Sequence, residues 1–394
     1  MKQIEGKRQV KIDRLINRRK LLAAGLVALL AGCAIVPKTG PEGPAPAPTP
    51  PPSGDVLPTD SERHRVALLV PLTGTNGAVG QSIANAATMA LLDTNAQNLR
   101  VTTYDTAAGA AGAAARAIAD DNRVILGPLL AEQIPAVAAA ARPAKVPIIS
   151  FSNDEAAAAR DVFVMGSIPG QSVDRVVDYA RGRGINTFGA LVPLGEYGKR
   201  ASEALMSNVR SGGGSVVGME TYNRSGDSIS AAARKLHDAG GYQAVLIADG
   251  GRMSSTAAQL LKSGDGPQIL GSELWSGEKL VSQTPALHGA WFAAVSDDRF
   301  PQFAKSYNSR FGGQPYRIAT MGYDAVLLTL RVAREWRPGE TFPLARLIAR
   351  DGFLGLDGVF RFGRDGVIER SLEVREVRPG GVRVISPAPD RFDD

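Results

Sequence analysis

From Arg65 onward the apolar positions follow two alternating rhythms: short continuous runs ending in Gly, Pro or Ser, and longer stretches where apolar residues recur at helical spacing. "RVALLVPLTG" reads as a buried strand, and Ile83, Ala86, Ala87, Ala90 and Leu91 after it trace one face of a helix. "RVILGP" and "KVPIISFSN" enclose a second unit, whose helix carries Ile134, Val137, Ala138 and Ala141, with Pro135 tolerable only near its first turn. A second series begins near Phe163. In it "TFGALVP", "VVGMETY", "QAVLIADGG" and "PQILGSELW" read as strands, and residues 198–210, 228–238 and 254–262 as helices. Strands alternating with helices of this length predict βαβ units, parallel sheets and right-handed crossovers, and two such series predict two lobes. After "GAWFAAV", helices are expected over 301–311, 319–336 and 342–349. The tail "GVFRFGRDGVIERSLEVREVRPGGVRVI" alternates and turns at Arg364-Asp365-Gly366 and Pro379-Gly380-Gly381, the pattern of antiparallel strands.

The first 60 residues follow neither rhythm. Residues 1–32 run from a basic stretch through an apolar segment, Leu21 to Ala31, to a small-residue exit, the three parts of an export signal. The apolar segment is too short to span a bilayer, which takes about 20 residues. It resembles the lipoprotein signal, with Leu30-Ala31-Gly32-Cys33 as the lipobox. That resemblance implies cleavage before Cys33 and acylation of its thiol and new amino end, which anchors the protein to a membrane by lipid. Ala34 after the cysteine implies the periplasmic side of the outer membrane, with inner-membrane anchoring as the alternative. Asn17 to Leu22 also resembles a twin-arginine signal. Residues 33–60 then form a lipidated tether: residues 37–58 hold nine prolines, and extended polyproline II at about 3.1 Å per residue reaches about 70 Å.

Charge and composition narrow the chemistry. The formal net charge is +6, but residues 1–32 hold eight of the 45 basic residues and two of the 39 acidic ones, so the remainder is neutral. Bases and acids are interspersed there, which argues against a nucleic-acid partner. Cys33 is the single cysteine, so no intramolecular disulfide is possible. His64, His237 and His288 stand far apart, leaving neither a zinc-ligand spacing nor a cysteine nucleophile with a partner. Gly271, Gly277 and Lys279 are spaced one residue too long for a phosphate loop, and neither a G-x-S-x-G elbow nor a dinucleotide fingerprint occurs. A non-catalytic chain without cofactor or metal is expected.

Five segments in order, "LLVPLTGTNGAVGQSIANAATMAL", "ILGPLLAEQIPAVAAAA", "VPIISFSN", "EYGKRASEAL" and "LDGVFRFGRDG", resemble the type I periplasmic binding proteins of the branched-chain amino-acid-binding kind, over nearly all of residues 65–385. The resemblance implies an α/β fold of two Rossmann-like lobes joined by crossing hinge segments, with ligand in the cleft between them. To this the tail adds a short antiparallel C-terminal extension. Lobe 1 is expected over 65–167 and 290–335, lobe 2 over 168–289 and 336–385, and a tail over 386–394. "GPLL", the outer-membrane lipobox and the proline-rich tether together resemble the penicillin-binding-protein activators. This implies a lipoprotein that reaches through peptidoglycan to stimulate a bifunctional synthase. The alternative is the solute receptor of a branched-chain amino-acid-type ABC transporter, whose partner is a permease and whose ligand is a small amino-acid-like molecule.

In an open α/β sheet, ligands sit beyond the carboxyl ends of the strands. Thr73 and Gly74 follow the first strand, Leu129 follows "RVILGP", and Ser150, Phe151 and Ser152 close "VPIISFS". By resemblance, Ser150 and Ser152 would hold a carboxylate. Capping of the next helix by Ser152 and Asn153 is the competing reading. In lobe 2, Tyr197 of "GEYGKR" matches a family aromatic that closes over ligand, Asp249 would accept an ammonium group, and Trp275 would line the opposite wall. Core packing of Tyr197 and Trp275, and a turn or cap at Asp249, remain the plainer alternatives.

Overall fold

The computed structural model describes residues 62–262 and 266–392. The signal segment, Cys33 and the tether lie outside the described residues.

The first lobe is built from β1 (His64–Val70), α1 (Gly77–Thr94), β2 (Leu99–Asp105), α2 (Ala110–Ala119), β3 (Val124–Leu126), α3 (Ile134–Ala141), β4 (Ile148–Ser150) and β5 (Val162–Val164). Its sheet is wholly parallel, in the order β2-β1-β3-β4-β5. Both faces are covered, and β1 shows why. Val66, Leu68 and Val70 enter one apolar cluster with α1, while Ala67 and Leu69 enter the other with α2 and α3. A strand buried on both sides must be apolar at every position, which is the run the sequence displays.

The second lobe repeats the winding with α4 (Pro169–Arg181), β6 (Thr187–Pro193), α5 (Glu196–Ser211), β7 (Ser215–Tyr222), α6 (Gly226–Ala239), β8 (Ala244–Ile247), α7 (Gly251–Leu261), β9 (Gln268–Gly271), α8 (Lys279–Gln283) and β10 (Trp291–Ala294). The parallel order β7-β6-β8-β9-β10 matches that of the first sheet. Ala244 and Leu246 of β8 face one cluster, Val245 and Ile247 the other.

The chain then returns to the first lobe. α9 (Phe300–Phe311) and α10 (Thr320–Ala333) pack against α1, through Phe303 and Tyr307 on Met89 and through Ala325 and Val326 on the β1 face. β11 (Phe353–Gly355), β12 (Gly358–Phe362) and β13 (Ile368–Arg370) form a small antiparallel sheet. Finally β14 (Glu373–Arg378) pairs antiparallel with β10, and β15 (Gly381–Ser386) pairs with β14 at the sheet edge.

Three expectations are corrected. The return to lobe 1, expected at 290, comes after β10, because Trp291 and Phe292 pair with Leu270 and Gly271 in the second sheet. Residues 336–370, expected in lobe 2, pack on lobe 1. Phe360 and Phe362 sit two apart on one strand and so share a face, which closes over Phe163, with the Phe163 and Phe362 rings 5.2 Å apart. Only β14 and β15 of the tail join lobe 2. The helix expected over 342–349 is a single 3₁₀ turn, Leu344–Arg346, with Phe342 and Leu347 reaching the core from a loop.

In both lobes a helix crosses close beneath the strand it follows. A Cβ on Gly80 would lie 1.7 Å from the Pro71 carbonyl oxygen, and one on Gly198 would lie 1.8 Å from that of Pro193. Gly80→Ala should therefore force α1 off the sheet and cost about 2 kcal/mol or more. Gly226→Ala, with open space at the Cβ position, should leave stability unchanged or raise it by up to about 1 kcal/mol. Urea unfolding of the two variants beside the parent measures the contrast.

Candidate functional site

The carboxyl ends of both parallel sheets open onto one cavity of about 630 Å³. From lobe 1 its wall takes Leu129 and Glu132 after β3, and Phe151, Ser152 and Asn153 after β4. Lobe 2 contributes Gln171 and Ser172 of α4, Tyr197 of α5, and Glu273 after β9. Arg317 ahead of α10, Asp357 between β11 and β12, and Arg370 at the end of β13 also line it.

Of the residues expected at a site, Leu129, Phe151, Ser152 and Tyr197 line this cavity together. Thr73, Gly74, Ser150, Asp249 and Trp275 are outside its lining, and local hydrogen bonds account for four of them. Thr73 Oγ1 donates to Asp105 Oδ2 at 3.2 Å, fastening the loop after β1 to the end of β2, and Gly74 turns that loop at φ 71°. Ser150 is fully buried; its Oγ donates to the Pro128 carbonyl at 2.8 Å and accepts the Ser152 N–H at 3.1 Å. Asp249 is spent inside lobe 2, accepting from the Tyr222 hydroxyl at 2.8 Å and the Arg224 Nε at 3.1 Å. Trp275 is a core residue whose indole N–H donates to the Asp249 carbonyl at 2.9 Å. Ser152 lines the cavity and its Oγ accepts the Asp154 N–H at 3.0 Å, while the cap of the following turn, expected at Ser152 or Asn153, is Asp154, whose side chain accepts the Ala156 N–H.

The strongest chemistry belongs to residues the pattern reading passed over. Glu273 is partly buried, with Oε2 accepting from Ser172 Oγ at 2.5 Å and Oε1 from the Tyr197 hydroxyl at 3.0 Å. Burial raises its carboxyl above the usual carboxylate range, and burial followed by the neighbouring Glu273 charge raises the Tyr197 phenol. "GSELW" closes a strand, so the strand-end rule that singled out Trp275 applied equally to Glu273 two residues earlier. Arg317 and Arg370 had no such signal, since their place depends on how the chain crosses between lobes.

Those crossings are cross-braced. Arg317 Nη1 donates to Asp357 Oδ1 at 2.6 Å and Nη2 to Asp297 Oδ1 at 3.3 Å. Arg375, fully buried, donates to Asp297 Oδ2 at 2.5 Å, to Glu373 Oε1 at 2.6 Å and to the Val295 carbonyl at 2.6 Å. Behind them Asp324 accepts the Leu356 N–H at 2.7 Å, and burial together with the Asp357 charge pushes its carboxyl up to about 7. Opposite the hinge, Arg200 of α5 reaches across to lobe 1, donating to the Asn153 carbonyl at 2.9 Å and pairing with Asp154.

Among the described residues no group of three or more His, Cys, Asp or Glu could hold a metal ion, and no helix is long and apolar enough to cross a membrane.

Two parallel α/β lobes, three crossings and a cleft at the strand ends define a bilobed binding protein. Residues 64–381 match the periplasmic binding protein family, and the chain belongs to it. RP748 of Rickettsia prowazekii (strain Madrid E) is 27% identical over 179 residues, 45% of this chain and 48% of that protein, so the chain spans about half the length of this curated relative. A Rhodospirillum rubrum protein assigned to a branched-chain amino acid ABC transporter has a similar structure, with a TM-score of 0.73 and 23% identity over 82% of this chain and 100% of that one. The C-domain of LpoA (YraM) from Haemophilus influenzae, a regulator of PBP1A, is similar at a TM-score of 0.63 and 18% identity, over 82% and 99%. At such identities the likeness is one of fold.

Two outcomes follow from the site's charges. Arg200→Ala should shift the balance of the lobes toward opening by about fivefold, from a contact worth about 1 kcal/mol, seen as a larger radius of gyration in solution scattering. Asp324, with its carboxyl raised on folding, contributes stability that is complete below the ordinary Asp range near 3.8 and is lost as pH rises through about 7. Asp324→Asn lacks that loss, so its melting temperature relative to the parent should rise between pH 5 and pH 8.

Proposed function

We propose that the chain is a non-catalytic receptor for a small organic solute, carried by a lipid on Cys33 and a proline-rich tether on the periplasmic side of a membrane. The observation that carries this is the cavity. A cleft kept only for packing would be filled by side chains, whereas this one leaves about 630 Å³ between the lobes, the size of an ordinary small-molecule site. Apolar walls at Leu129, Phe151 and Met321 suit an aliphatic or aromatic body, and the polar groups of Tyr197, Glu273 and Gln171 suit its orientation. Of the expected site residues, Leu129, Phe151, Ser152 and Tyr197 are the proposed ligand contacts.

A second reading is a regulator of a peptidoglycan synthase. The fold likeness to the LpoA C-domain favours it, as does a proline-rich tether of the kind a docking lipoprotein uses to reach its partner.

Calorimetric titration of the full chain with branched-chain amino acids and small aromatic carboxylates separates the two. Micromolar binding is the outcome expected of a receptor. Absence of heat across the panel, together with faster glycan polymerisation by a purified bifunctional penicillin-binding protein when the chain is added, would establish the second reading instead. Cys33→Ala should move the protein from the membrane pellet to the soluble fraction.

A further inference from the structure

Arg370 closes β13 and is more than nine-tenths buried, yet it lines the cleft cavity. Among the described residues its guanidinium has one hydrogen-bond partner, the Met165 carbonyl, which takes Nη2 at 2.9 Å. Nε is shut away from solvent without a partner, and Nη1 donates to no described group. The Phe360 ring covers it at 5.5 Å.

Of the two nearby acids Asp357 is engaged at both oxygens, whereas Asp324 keeps Oδ2 buried without a hydrogen-bond partner. Asp357 gives Oδ1 to Arg317 and Oδ2 to the Thr320 hydroxyl, and Asp324 gives Oδ1 to the Leu356 N–H. They act on Arg370 through space without touching it. Arg317, the other guanidinium in the lining, differs in having two carboxylates in contact. A buried cation without a contacting anion is costly, and the cost is relieved when an anion enters beside it. The space beside Arg370 is the cavity itself, with Phe151, Ile168 and Met321 as its apolar flank.

We propose that Arg370 anchors the carboxylate of a small organic acid in the cleft, with the acid's apolar body lying against Phe151, Ile168 and Met321. Glu273, which lines the same cavity, makes a second anionic group unfavourable, so the ligand is a monocarboxylate. The inference rests on the cleft being a ligand site and adds the residue that anchors the ligand's carboxylate.

The test pairs each acid with its neutral amide on the full chain: 4-methylpentanoate against 4-methylpentanamide, and benzoate against benzamide, by calorimetric titration. The parent should bind each acid about tenfold or more tighter than its amide, as expected for a hydrogen bond to a charged group. Arg370→Gln should erase that preference and Arg370→Lys should keep part of it. The acid–amide comparison on the parent holds even if a variant misfolds. Equal affinity for acid and amide would overturn the anchor and leave the cleft a ligand site. Binding of neither acids nor amides would overturn the anchor along with the receptor role of the cleft.

Discussion

Asp297 holds the two lobes in register. It lies in the second crossing and accepts from Arg317, which leads into α10 of lobe 1, and from Arg375, which belongs to β14 of lobe 2. Arg375 has almost no exposed surface, so its charge is tolerable only while Asp297 and Glu373 face it. The carbonyls of Val295 and Ser296 are drawn into the same network. Bending between lobes is thereby confined to the few residues of each crossing, the usual location of a hinge.

The cleft inherits its chemistry from that arrangement. Because both sheets wind alike, the carboxyl ends of both face the same gap, and the loops there supply Ser152 from one side and Glu273 from the other. Glu273 is held in place by Ser172 and Tyr197, which fixes the orientation of its carboxyl at the cavity wall. Arg317 and Arg370, beside the crossings, add guanidinium groups to the same cavity.

Much of this was legible in the chain. Strands buried on both faces, such as "VALLV" and "AVLI", declare themselves as continuous apolar runs, and the helices after them by their spacing. β2 is different: at the sheet edge only Leu99 and Tyr104 are buried, so "LRVTTYD" carries no run and was not anticipated. The strand-end rule led to Leu129, Phe151 and Ser152, and the family resemblance to Tyr197, all of which line the cavity. It misplaced Asp249 and Trp275 because both sit at strand ends but point into lobe 2, where Tyr222 and Ser254 satisfy them. Arg370 was beyond reach, since nothing local in "VIERSL" says that β13 lies under the cleft.

The small sheet β11–β13 has a consequence for how the chain acquires its shape. Phe163 waits on Phe362, some two hundred positions later, and all of the second lobe except β14 and β15 intervenes between them. As the polypeptide emerges from its amino end, the first half to appear is thus the later to be sealed, while the lobe that appears after it lacks only its last two edge strands. Long loops of this kind close slowly, because their entropy is lost before any contact is gained.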